Sequence, residues 1–600
     1  MPEQSIKSED MTLKRAFQDF YAVPDYQREY VWGEVDGKGQ RGDEVEQFLR
    51  DVVAEFEMAT EHNAPEYFIG TIVVWRGVDG VYELIDGQQR MTTSFVTLCA
   101  IRDALSEASG AIPDELPGQI AAASMDWLGN TTHRERLSLQ YPDSQGVLTR
   151  YAKGEWATAP KRGTRSVENI AGAYSTVREF LQTQFQGHPD RIRRFYAYLT
   201  AKVKLIRIET PSVAKALKIF ETVNDRGVGL DAMDLLKNLL FMSATTQQFA
   251  ALKEKWKKVV DGIYGVGEKP LRFLRYFIFA DFDVADLKLQ EDEIYSWFLR
   301  NAVQTGHQIN PVLFVERLLE AAIAYVGFTK GTAPDGAASR GISNTRILGG
   351  SAIRQHYILL LAGRKLSPDN FRRLTEEVEN LMFAYLITNS ATRDYERSIV
   401  EGARQLRKTS DADFSRFCEE YFKDRKARLS REFGLALNKM YTRDTRAFRL
   451  RFLLAKLTQA LDVRAYGAAG AYGDLLLYYN ANNDIEHIYP SSPSEQADSE
   501  FGAITDEDIA SKIGNLLLVE QAINRLLGNR AYSQKKAIYS QSQFLLVRCQ
   551  AERPVFGVAD QITKAMASVP TFPDWNENAV LDRQEYLTRL AREVWGVTES

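Results

Sequence analysis

Asp484 to Pro493, reading DIEHIYPSSP, and Ile513 to Arg525, reading IGNLLLVEQAINR, hold the residue types that phosphodiester hydrolysis asks for. That reaction needs a base to take a proton from water and a cation to stabilise the leaving oxygen. The imidazole of His487 titrates near neutrality and suits the first task. Glu486 and Asn524 are hard oxygen donors suited to Mg²⁺ or Mn²⁺. A lone histidine in an apolar strand is ordinarily a packing residue. Here an acid precedes it, Pro490 follows three residues on, Gly514-Asn515 lies farther along, and Asn524 comes nine residues after Asn515. That combination is more specific than its parts.

These side chains must be set by local elements. The apolar run Ile485 to Tyr489, closed by Pro490, reads as the first arm of a hairpin carrying His487, and Leu475 to Tyr479 as a strand before it. Phe448 to Leu461 has the apolar spacing of a helix. Lys423 to Arg451 carries ten Lys or Arg against three acids, so it either supplies phosphate contacts, through Arg446 and Arg449 among others, or is a solvated helix face. Lys535 and Lys536, near the start of a later helix, are also candidates for DNA phosphate.

Three polar clusters mark the N-terminal part. The first is VPDYQREYVW, where Tyr26, Gln27 and Arg28 could stack a base and clamp a phosphate, or where the aromatics simply plug a core. In the second, strands Tyr67 to Trp75 and Val81 to Ile85 form a hairpin, followed by Asp86-Gly87-Gln88-Gln89-Arg90 and a helix from Met91. A strand, a glycine turn and a helix start seat an anion well. The third, NDRGVGLDAMDLLKN, places Asn224 and Arg226 in a turn and Asp234 and Lys237 on a helix, where an intrahelical ion pair is the plain alternative to ligand contact. No GxxxxGK[ST] sequence occurs, so a P-loop is not the phosphate site.

In order, VPDYQREYVW, EYFIGTIVV with LIDGQQRMTT, and IFETVNDRGVGLDAMDLLKN resemble the N-terminal domain of the GmrSD family of modification-dependent (type IV) restriction enzymes, a domain with a ParB-like core. The EHIYP, GNL and later Asn pattern resembles the HNH (His-Me finger) nuclease domain of the same family. The resemblance implies a nucleoside triphosphate, bound or hydrolysed through Tyr26, Gln27, Arg28, Asp86, Gly87, Gln88, Gln89, Arg90, Asn224, Arg226, Asp234 and Lys237. It also implies His487 as general base, Asn515 as brace of the hairpin and Asn524 as metal ligand. Glu486 stands where many HNH nucleases carry Asp.

Between these ends the chain reads as successive helices, with Phe328 to Gly350 as one long Gly- and Ser-containing loop. His307 and His356 lack a second ligand at metal spacing and read as packing or surface residues. Cys99, Cys418 and Cys549 form no CxxC pair and read as buried thiols. A formal net charge of −5 argues against indiscriminate coating of nucleic acid. No run of eighteen apolar residues or signal peptide is evident, which makes the cytoplasm the expected compartment.

The expected architecture is α+β and predominantly α-helical: a ParB-like α/β domain at residues 1–240, an all-α connector at 241–425, and a ββα-metal nuclease domain in a helical surround at 426–600. The expected function is nucleotide-dependent cleavage of modified double-stranded DNA in phage defence by a homodimer, with NTPase activity. A nucleotide-responsive DNA-binding regulator, or an RNA nuclease, is the alternative.

Overall fold

The computed structural model divides into two compact units, Met1–Lys257 with Trp297–Phe314, and Lys258–Ser296 with Val315–Ser600. It describes residues 6–24, 30–34, 42–60, 63–76, 80–108, 111–125, 131–140, 146–160, 162–163, 165–212, 215–216, 219, 232–284, 289–555, 557 and 560–598. Tyr26, Gln27, Arg28, Asn224 and Arg226 therefore lie outside the described residues, as does the side chain of Asp234.

In the first unit, β1 (Lys7–Thr12), β2 (Tyr21–Val23), β3 (Tyr67–Arg76), β4 (Tyr82–Asp86), β7 (Leu137–Leu139) and β8 (Val203–Thr210) form a six-stranded mixed sheet in the order β1-β8-β3-β4-β2-β7. Strands β5 (Ala121–Met125) and β6 (Thr131–Glu135) pair separately. β3 and β4 are antiparallel, as the apolar runs predict, while β3 and β8 run parallel despite their separation in the chain. Arg207 of β8 knits the sheet: it donates to Glu9 Oε2 at 2.7 Å, Asp19 Oδ2 at 2.6 Å and the Tyr21 hydroxyl at 3.2 Å, with its guanidinium 4.5 Å over the Tyr82 ring. One buried cation thus reaches residues on β1, β2 and β4 and is satisfied by all of them, as a buried charge must be.

The helix Gln88–Glu107 is buried on nearly every side, with Thr92, Thr93, Ser94, Thr97 and Asp103 buried among its apolar residues, so it shows no single apolar stripe. The helices Glu44–Glu57, Arg165–Phe185 and Pro189–Lys202 complete this unit's core, with Phe48, Leu49, Val52, Phe95, Val177, Leu181 and Phe195 in one cluster.

The second unit is helical around a single strand pair among the described residues, β9 (Asn483–His487) and β10 (Leu516–Glu520). The helices Pro368–Ile387, Asp424–Asn438, Ala447–Tyr466 and Glu577–Trp595 pack together, with the Phe383 and Trp595 rings stacked at 3.8 Å. The architecture is α+β and helix-dominated. Two local expectations are corrected. Phe328 to Gly350 is not one loop, because the preceding helix runs on to Lys330 and a helix forms at Arg340–Gly349, capped where the Ser339 hydroxyl accepts from the Ile342 N–H. Leu475–Leu477 is a 3₁₀ turn rather than a strand, with the Asp474 side chain accepting from the Leu476 N–H, a local bond that competes with strand pairing.

The three cysteines are buried and free, and no helix among the described residues is long and apolar enough to cross a membrane. His307 and His356 are both fully buried packing residues. Neither ring nitrogen of His356 has a partner, and burial, with Arg354 adding to it, lowers its pKa to about 3. The unfolded chain binds a proton near pH 6.5 that the folded chain refuses, so this contribution to stability is full above about 6.5 and lost as pH falls toward 3. Between pH 6.5 and 4.5 the loss is about 2 kcal/mol. Urea unfolding across that range should show His356→Phe losing less stability than the parent chain by a comparable amount.

Candidate active site

β10, Leu516-Leu517-Leu518-Val519-Glu520, is buried over its first four residues, which β-branched and leucine side chains fill from both faces. It pairs antiparallel with β9, His487 opposite Leu516 and Asp484 opposite Val519. The helix Gln521–Leu527 follows β10 directly, and the helix Tyr532–Tyr539 follows that. His487 is the last residue of β9, where the chain leaves the pair. At the other end of β9, Arg451 of the Ala447–Tyr466 helix donates to Asn480 O at 2.9 Å and to Asn483 O.

Asn515 is fully buried and uses its whole amide. Its Oδ1 accepts from the Tyr489 N–H at 2.8 Å and the Trp575 indole N–H at 3.0 Å, and its Nδ2 donates to Tyr489 O at 2.8 Å and Ala510 O at 2.9 Å. Its own carbonyl accepts from the Ile488 N–H at 2.9 Å. The residue expected to brace the hairpin touches the two residues after His487 and not the imidazole itself. Behind it, Gly514 lies so close to the Glu577–Trp595 helix that a Cβ would stand 2.2 Å from Val580 O. That helix holds the turn through Gln584 Oε1, which accepts from the Gly514 N–H at 3.0 Å, and through Arg583, which donates to Gly514 O at 2.7 Å and Leu516 O at 2.8 Å.

Strand alternation puts Asp484 and Glu486 on one face of β9, and each meets a different helix. Asn524, on Gln521–Leu527, sets its amide Nδ2 3.3 Å from Asp484 Oδ2. Lys535, on Tyr532–Tyr539, sets its ammonium 2.6 Å from Glu486 Oε1. Glu486 is 5% exposed, and burial pushes its carboxyl up to about 7 against the attraction of Lys535. The acid beside Asn524 is therefore Asp484, while Glu486 is placed in a buried ion pair.

A divalent cation bound at about 2.1 Å in octahedral geometry has neighbouring oxygen ligands about 3 Å apart. The 3.3 Å between Asn524 Nδ2 and Asp484 Oδ2 matches that spacing, and a turn of the Asn524 amide would put its oxygen in place of the nitrogen. Among the described residues no three His, Cys, Asp or Glu side chains form a metal cluster, so the fit is to a site completed by water or phosphate oxygens. His487 is half-buried, and burial followed by the positive charge of Lys535 holds its pKa below the usual imidazole value. Both causes favour the neutral ring that a base requires.

The basic stretch is largely occupied by internal contacts. Lys426 pairs with Glu377 at 2.8 Å, Arg425 with Glu401 at 2.7 Å, and Arg443 with Asp508 at 2.6 Å. Arg449 donates to Leu348 O at 3.0 Å, whereas Arg446 is exposed at the start of its helix. Lys535 is fully buried and Lys536 half-exposed.

In the first unit, Asp86 Oδ1 accepts from the Gly87 N–H at 2.7 Å, and Gly87 takes a φ of 84° with a Cβ position only 2.5 Å from the Ile72 side chain, a place that glycine alone fills without strain. Gln89 Oε1 accepts from the Val31 N–H at 2.9 Å and the Trp32 N–H at 3.3 Å, which ties the end of the first polar cluster to the second. Arg90 donates to Ile69 O at 3.0 Å and stands 3.7 Å from Asp86. Gln88 is nearly buried, and Lys237 lies buried on the helix Ala232–Ser243.

Asp484, Trp575, Arg583 and Gln584 were not singled out by type and spacing, and Arg451, counted with the basic stretch for phosphate, instead holds backbone carbonyls at the start of β9. Asp484 carries a signal, the period-two DxE of a strand; the others act across long stretches of chain and leave none. Replacing Asn515 with Ala strands the Tyr489 N–H and the Trp575 indole in the core, which costs on the order of 3 kcal/mol. Asn515→Ala is expected to show that loss in urea unfolding, together with loss of any activity that depends on His487.

Residues 9–241 match the family described as GmrSD restriction endonuclease, N-terminal domain, and residues 423–590 match GmrSD restriction endonucleases, C-terminal domain. The second match spans β9, β10 and the helices that hold them. No curated protein matches the chain. With both domains in one chain, the protein belongs to the GmrSD restriction endonuclease family.

Proposed function

We propose that this chain is a nucleotide-dependent endonuclease that cleaves modified foreign DNA, such as DNA with methylated, hydroxymethylated or glucosylated cytosine, in defence against phage. The observation that carries the reading is a neutral-leaning imidazole, His487, on the same five-residue strand as the Asp484–Asn524 pair, within the family's C-terminal domain.

His487 takes the proton from the attacking water. Asp484 and Asn524 would hold Mg²⁺ or Mn²⁺, which when bound stabilises charge on the phosphate and on the leaving oxygen. Asn515 keeps the turn after His487 in register, and of the candidate phosphate contacts Lys535, Lys536, Arg446 and Arg449, Lys536 and Arg446 are the two we assign to backbone phosphate. In the N-terminal domain the turn Asp86–Arg90 is the seat for nucleotide phosphates, with Tyr26, Gln27, Arg28, Asn224, Arg226, Asp234 and Lys237 as further contacts. Two copies of the chain supply the two cuts that break a duplex.

A panel of unmodified, methylated, hydroxymethylated and glucosylated duplexes, with and without each NTP and with Mg²⁺ or Mn²⁺, tests this reading. Cleavage is expected only of a modified duplex, only with metal, and with a dependence on NTP. His487→Ala is expected to abolish cleavage, and Asp484→Ala to raise the metal concentration required. Cleavage that survives His487→Ala would falsify the nuclease assignment and leave a nucleotide-responsive binding protein; activity on RNA alone would redirect it.

A further inference from the structure

Lys535 was expected at a DNA phosphate, yet its side chain is fully buried and reaches the end of β9. Its ammonium donates to Glu486 Oε1 at 2.6 Å, to His487 O at 2.8 Å and to Ile488 O at 3.1 Å. Three acceptors take the three protons of an ammonium group, so none remains for a phosphate. A buried ion pair is a poor device for stability, because apolar residues of similar volume often do as well or better. What this lysine fixes explains it better than what it stabilises.

The fixed parts are two consecutive peptide planes. In the plane after His487, the oxygen accepts from Lys535 while the Ile488 N–H donates to Asn515 O at 2.9 Å. In the next plane, the Ile488 oxygen accepts from Lys535 while the Tyr489 N–H donates to Asn515 Oδ1 at 2.8 Å. Each plane is gripped at both ends, from one side by an ammonium on the helix Tyr532–Tyr539 and from the other by the asparagine before β10. The Cα of His487 lies at the edge of the first plane, so the direction of its side chain follows from the tilt of that plane.

We propose that Lys535 is a positioning residue for the nuclease reaction: with Asn515 it locks the two peptide planes that follow His487 and thereby aims the imidazole. The proposal rests on His487 being the general base. A base displaced by about 1 Å loses on the order of 100-fold in rate. Substrate contacts made elsewhere are untouched, so the loss falls on kcat.

The test compares the parent chain with Lys535→Met and with the double variant Glu486→Gln/Lys535→Met, which leaves no unpaired buried charge and guards against failure to fold. In both variants kcat on the cleaved modified duplex should fall about 100-fold at saturating Mn²⁺, with KM for DNA and half-saturating Mn²⁺ within about threefold of the parent. In NMR spectra of the histidine-labelled chain, the ring signals of His487 should shift or broaden in both variants while those of buried His307 and His356 stay in place. A folded variant that cleaves near the parent rate, a loss confined to KM or to the Mn²⁺ requirement, or unmoved His487 ring signals would overturn the positioning role. Cleavage lost in His487→Ala but kept in Lys535→Met sinks this role alone. Cleavage that survives His487→Ala removes the nuclease reading and this role with it.

Discussion

A pair of five-residue strands cannot hold itself together in water, and the centre of this protein is such a pair. β9 and β10 persist because the Glu577–Trp595 helix is bolted to the 3₁₀ turn Ile513–Asn515 that enters β10, through Arg583, Gln584 and the close passage over Gly514. The fully buried guanidinium of Arg583, whose pKa burial lowers to about 10, finds backbone carbonyls in place of a carboxylate. Remove that support and Asn515 has no fixed frame from which to grip Tyr489. The geometry at His487 is thus inherited from a helix that contributes nothing to the chemistry.

Buried charge is distributed with a pattern. In the first unit Arg207 is enclosed by Glu9, Asp19 and the Tyr21 hydroxyl, and it serves the sheet. In the second, Lys535 and Glu486 are enclosed beside a half-buried imidazole. In both places desolvation costs more than one ion pair returns, and in both the cation binds several partners that no apolar residue could align. The acid left with solvent contact on β9 is Asp484, the one that stands against Asn524.

Much of this was legible in the chain. The β-branched and aromatic run Tyr67–Arg76 and the alternating Val203–Thr210 announced their strands, and the apolar residues from Met91 onward announced the helix that follows the Asp86–Arg90 turn. His487, Asn515 and Asn524 were singled out by the order acid-His, Pro, Gly-Asn and a further Asn, and the structure places them at the end of β9, at the entry to β10 and on the helix after β10. Glu486 and Lys535 were not legible in the same way: neither residue type tells which way a strand or helix turns it, and only the pairing of β9 with helices beyond β10 decides. The helix Arg340–Gly349 was hidden by its glycines and serines, since propensity is weak where packing against Pro368–Ile387 rules. Leu475–Leu477 read as a strand because three leucines carry no period, and a single Asp474 side chain settled the matter.

The dependence of β9 and β10 on the Glu577–Trp595 helix has a consequence in time. Ribosomes deliver the hairpin before they deliver that helix, so a growing chain exposes His487, Asn515 and Asn524 without the frame that orders them. The arrangement around His487 is therefore completed late, once Arg583 and Gln584 close on Gly514 and Leu516.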